Sequence, residues 1–141
     1  MAGNTLGPVD YDKIGNILAP DRTTPEQKLS SQTISPSDLA EFTISGQDGY
    51  SAVVITIKAT YNSSATLGIR VRWLYSPDNS NFDSPEDAEA QGNYEDLSFA
   101  AGATRQRTIL IPIFQPFIKV QIINLDTSYE VVVDAWSILM R

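Results

Sequence analysis

Leu67-Gly68-Ile69-Arg70-Val71-Arg72-Trp73-Leu74-Tyr75 decides the fold class. Leu67, Ile69, Val71, Trp73 and Tyr75 share one parity and Arg70 and Arg72 take the other, which is the period of a half-buried strand. Residues 51–61 repeat the pattern, with Val53, Ile55 and Ile57 on one face. Turn-forming residues at 45–49 and 62–65 punctuate these runs.

Working outward, the same reading predicts strands at 30–34, 39–44, 94–99, 105–111, 117–124 and 129–140. Eight strands at this spacing predict an all-β fold, an antiparallel β-sandwich or jelly roll. One short helix is expected inside the loop after Trp73. Ser84 is its N-cap, Pro85 its first helical residue, acids fill its first turn and Gly92 stops it. Residues 1–28 hold Gly3, Gly7, Pro8, Gly15, Pro20 and Pro25 with no hydrophobic period, and are expected to form an extended N-terminal arm, a floppy terminus in an isolated domain and an ordered one where it lies on a neighbouring subunit. Residues 29–141 then form the sandwich domain.

A chain of 141 residues can hide about two-thirds of its unfolded surface, so it needs no staples. Its hydrophobic fraction of 42% and charged fraction of 19% are those of a folding chain. With no cysteine and no histidine, it lacks disulfides, thiol nucleophiles, the commonest general base and the commonest metal ligand. No apolar run approaches bilayer length and no secretory signal opens the chain, so a soluble protein is expected.

The formal charge of −7 has a single origin. Between Trp73 and Thr104 there is no Lys or Arg, while Asp78, Asp83, Glu86, Asp87, Glu89, Glu95 and Asp96 fall inside that window. Elsewhere ten acids balance ten bases. An acidic surface repels phosphate backbones and anionic lipid, so neither nucleic acid nor membrane is expected as a partner.

The acids suggest two kinds of chemistry, and each lacks a part. Asn79, Asn81 and Asp83 imitate the first ligand positions of a calcium loop, but Ser84 stands where glycine is needed and Ala90 where a bidentate Glu is needed. Two carboxylates can hydrolyse a glycoside without histidine, yet they need a cleft flanked by sugar-stacking aromatics. No catalytic residue, metal ligand or cofactor site is therefore assigned, and no enzyme is expected. Tyr50, Tyr61, Trp73, Tyr75, Tyr94 and Trp136 leave a lectin-like, carbohydrate-binding module open as an alternative, although Trp73 and Tyr75 read more simply as core. Asn62-Ser63-Ser64 matches a common glycosylation tripeptide.

The last strand carries the most information about partners. Val131, Val133, Ala135 and Leu139 lie on one parity, and Val132, Trp136, Ile138 and Met140 on the other. A strand with one face in water alternates, so this one is expected to be covered on both sides, by its own arm, by a dense core or by another subunit. Residues 109–117 repeat the message around Pro112 and Pro116, which suit an edge or a bend. The partner-binding residues expected from these patterns are Phe114, Phe117, Trp136, Ile138 and Met140, with Val9, Tyr11, Ile14, Ile17 and Leu18 anchoring the arm.

Arg72-Trp73-Leu74-Tyr75-Ser76-Pro77-Asp78-Asn79-Ser80-Asn81-Phe82-Asp83, followed by Phe117-Ile118-Lys119-Val120-Gln121-Ile122-Ile123-Asn124-Leu125-Asp126, resembles a pattern of β-sandwich structural proteins of tailed bacteriophages. In those proteins a strand ends in a Ser-Pro-Asp-Gly-like turn with a Phe or Trp shortly before an Asp, and a later strand ends in Asn before a turn. Asn79 stands where glycine is usual, and Asn tolerates positive φ. The resemblance implies a virion protein on the capsid surface, a decoration or cement protein that forms a homo-oligomer, often a trimer, and binds the major capsid protein. A tail or baseplate component is its nearest variant.

Overall fold

The computed structural model describes residues 21–46 and 48–141. In chain order the elements are β1 (Glu26–Ile34), β2 (Leu39–Ser45), β3 (Ala52–Tyr61), β4 (Ile69–Ser76), α1 (Pro85–Ala90), β5 (Tyr94–Asp96), β6 (Thr104–Pro112), β7 (Phe117–Asn124) and β8 (Val131–Met140). They form two antiparallel four-stranded sheets, β1-β8-β3-β6 and β2-β7-β4-β5, stacked as a β-sandwich. No described helix is long and apolar enough to cross a membrane.

The inner faces follow the period of two. Val53, Ile55 and Ile57 of β3, Ile69 and Val71 of β4, Ile118, Val120 and Ile122 of β7, and Val133 and Ala135 of β8 are fully buried between the sheets. Each Val or Ile removed from water in this way contributes about 1.5–3 kcal/mol before ordering costs. Trp73 and Tyr75 join this core, as their parity predicts.

Boundaries moved where tertiary contacts intervene. Leu67, expected inside β4, lies before it and is 50% exposed. Its backbone N–H is held by Asp126 Oδ2 at 3.2 Å, which turns the chain aside until Ile69. β1 begins at Glu26 and an isolated bridge pairs Arg22 with Met140, so the described residues of the expected arm already lie along β8. The rest of that arm, including Val9, Tyr11, Ile14, Ile17 and Leu18, lies outside the described residues.

Helix α1 forms as its caps dictate. Ser84 Oγ accepts the Asp87 N–H, Pro85 opens the helix, and Gly92 closes it at a φ of 81°. Asn79 takes the positive φ, 63°, that its turn requires. Asp78 organises that turn by accepting the N–H groups of Ser80 at 2.9 Å and Asn81 at 2.8 Å. These donors hold its carboxyl down at about 2.

Candidate functional site

The two outer faces of the sandwich differ, and the difference starts in the long β4–β5 connection. On the second sheet the outward parity comprises Arg70, Arg72, Leu74 and Ser76 of β4 with Phe117, Lys119, Gln121 and Ile123 of β7. Residues 77–93 fold back over that face. Ala88 is buried, Phe82 stacks on the Lys119 ammonium at 4.2 Å, and Leu74 is left 4% exposed although it points away from the core.

Glu89 of α1 is the polar clasp of this cover. Its carboxylate reaches Arg70 at 2.8 Å and Arg72 at 2.5 Å. Arg70 also grips Asp96 through two nitrogens at 2.7 and 3.1 Å and stacks over Tyr94. The Asp96 hydrogen bonds raise the Arg70 guanidinium still further above its usual value. Arg72 donates to Gln121, and Gln121 donates onward to Glu41, so the chain of hydrogen bonds crosses four strands' worth of sheet from β5 to β2. On the sandwich's side, Arg107 of β6 meets Glu95 at 2.7 Å.

These contacts change the meaning of the acidic window. Glu89, Glu95 and Asp96 are neutralised by arginines from β4 and β6, and Asp78 and Asp87 are held in local turn and cap hydrogen bonds. Asp83 Oδ2 accepts the Tyr75 N–H. The window is thus tied largely to the protein's own donors. Among the described residues no group of three or more His, Cys, Asp and Glu side chains is placed to hold a metal.

The first sheet has no such cover among the described residues. Cross-strand partners share a face, so its outward rows read directly from the pairing. Leu110, Val54 and Ile138 form one row, Pro112, Ala52 and Met140 the next, and Thr108, Thr56 and Trp136 a third. Leu110 is 57% exposed, and Val54, Trp136, Ile138 and Met140 are half-buried. The face turns polar at the Thr56–Thr108 hydroxyl pair beside Trp136, and beyond it lie the row Gln106, Lys58, Asp134 and the pair Thr60–Thr104, both hydroxyl pairs being at 3.1 Å. The apolar end is therefore a bounded patch.

Of the residues expected to bind a partner, Trp136, Ile138 and Met140 come together here. Phe114, 74% exposed, sits on the β6–β7 loop beside Pro112, with its ring 5.5 Å from Tyr75. It extends the same end of the molecule. Phe117 does not join them: it lies on the outer face of the second sheet, between Ser45 and Ser76. Leu110 and Pro112, from the apolar 109–117 stretch, belong to the patch although they were not among the partner-binding residues expected, and Val54 of β3 joins them unexpectedly. Their signal was the second parity of β3 and the alternation of buried Ile109 and Ile111 with Leu110.

Two depressions flank this end. One, of about 320 Å³, lies between β1, β2 and the end of β8, with Thr23, Glu26, Lys28, Thr43, Ser137 and Ile138 in its lining. The other, of about 300 Å³, lies between Tyr50 and Phe114. None of the seven acids of the 78–96 window lines either one. Tyr61, Trp73 and Tyr75 are in the core rather than in a surface row, and the Asn62 side chain accepts the Ser64 N–H in a tight turn.

Compared with known protein families and with curated proteins, the chain finds no matching family model and no matching relative.

Proposed function

We propose that this protein is a structural, non-enzymatic virion component, a jelly-roll decoration protein that stabilises a capsid through contacts with copies of itself and with the major capsid protein. The observation that carries the reading is the asymmetry of the outer faces: on one, the chain's own β4–β5 connection covers β4 and its flank, and the other leaves an apolar patch uncovered among the described residues. Such a patch marks an interaction surface. The strand orders β1-β8-β3-β6 and β2-β7-β4-β5 support the jelly-roll form, because successive strands alternate between sheets except at β4–β5. That architecture recurs in viral capsid domains. The resemblance of residues 72–83 and 117–126 to phage structural proteins supports the virion setting.

The binding free energy in this reading comes from apolar area removed from water, at about 25 cal/mol per Å², less the cost of ordering. Native mass measurement of the purified protein tests it, with a closed homotrimer as the expected species. Immunogold labelling of purified virions is expected on the capsid surface. A monomer that also fails to sediment with capsids overturns the reading, and label confined to the tail moves it to the tail or baseplate.

A further inference from the structure

The bare patch lies where the chain enters the fold. Arg22 pairs with Met140, Thr23 N–H donates to the Leu139 carbonyl at 3.0 Å, and Arg141 N–H donates to the Asp21 carbonyl at 2.9 Å. Met140 is itself a corner of the patch. Residues 21–23 thus run antiparallel to 139–141, and the chain enters the described fold beside the Met140 corner of the patch.

Twenty residues precede this point, and they supply Val9, Tyr11, Ile14, Ile17 and Leu18. The patch measures about 13 Å along β8 from Met140 to Trp136 and about 10 Å across two strand spacings to β6. Residues 9–18, when extended, span about 30 Å, which is enough to cross it.

We infer that residues 9–18 of one molecule cover the apolar patch of Val54, Leu110, Pro112, Trp136, Ile138 and Met140 on a neighbouring copy. This deepens the assembly reading and rests on it, since a second copy is required. Exchange of these segments gives each molecule both a donor and a receptor, and it covers the apolar end of the first sheet's outer face with apolar side chains, as the β4–β5 connection covers β4 on the second.

The absence of native cysteine makes the test clean. Ile17→Cys and Ile138→Cys are made in separately tagged full-length chains, mixed and oxidised mildly. A disulfide-linked heterodimer carrying both tags is expected, and little is expected when Ile138→Cys is replaced by Thr104→Cys, at the polar end of the same face. Thermal unfolding of each variant checks its fold. A disulfide formed only within single chains of the Ile17→Cys/Ile138→Cys double variant overturns the inference, as does its failure to form anywhere. As a second measurement without new cysteines, deletion of residues 1–20 is expected to red-shift Trp136 emission and raise its quenching by acrylamide, against a constant signal from buried Trp73. Unchanged quenching overturns the inference. A trimeric native mass with no heterodimer leaves the assembly reading standing while this inference fails, whereas a monomeric mass together with failure to sediment with capsids removes both.

Discussion

Asp126 Oδ2 accepts the backbone N–H of Thr66 at 2.8 Å, joining the loop before β4 to the turn after β7. The same carboxylate accepts the N–H groups of Leu67, Ser128 and Tyr129, and Asn124 completes the knot by donating to the carbonyls of Ile34, Ser35 and Tyr129. Asp126 is almost wholly enclosed by the donors it satisfies. Replacing it with Ala strands those N–H groups. Asp126→Ala is expected to lower the melting temperature far more than Thr127→Ala, its exposed neighbour, in parallel calorimetric scans.

The pH dependence of stability follows from the same carboxylate and from Tyr75. Backbone N–H groups hold Asp126 well below the usual carboxylate range and hold Asp78 at about 2. For a lowered acid the stabilisation is complete above the unfolded value, near 4, and is lost as pH falls through the folded value. Burial pushes the Tyr75 phenol, which donates to the Pro112 carbonyl at 2.6 Å, up to about 12. For a raised group the stabilisation is complete below the unfolded value, near 10, and is lost as pH rises toward 12. Urea unfolding at stepped pH is expected to show a plateau between these limits, and Tyr75→Phe is expected to flatten its alkaline shoulder.

Adjacent residues on β6 separate folding from assembly. Ile111 is fully buried and Leu110 is 57% exposed. Ile111→Ala is expected to cost about 2–5 kcal/mol in chemical unfolding, through lost transfer energy and the cavity left behind. Leu110→Ser is expected to stay within about 0.5 kcal/mol of the parent while lowering the oligomeric fraction in native mass measurements. Equal effects of both substitutions on stability would contradict the assignment of Leu110 to an outer patch.

The clasp on the second sheet gives a further test. Arg72 is held by Glu89 and Gln121, with its side chain 12% exposed. Arg72→Met keeps much of the aliphatic stem but leaves two acceptors unpaired, and it is expected to cost about 1–3 kcal/mol. Ser84→Ala removes the α1 cap and is expected to cost about 1 kcal/mol. Amide exchange in residues 85–93 should rise in both variants before exchange in β7 does.

Local chemistry made much of this protein readable from its residues. The parity of 69–75 and 51–61, the Ser84-Pro85 start and the Gly92 stop of α1, and the positive φ at Asn79 all depend on neighbours within a few positions, where steric preference and solvent exposure act directly. The two apolar parities of β8 were visible in the same way. What lies over each parity was not, because it is settled by pairings far apart in sequence: β8 between β1 and β3, Glu89 on Arg70 and Arg72, and Glu41 on Gln121. A run of acids without bases reads as an acidic surface until folding brings the arginines of β4 and β6 against it. In the same way, Trp136, Ile138 and Met140 become a patch with Val54 and Leu110 only when three strands align, since hydrophobic pattern records which side chains avoid water but not which surface they share.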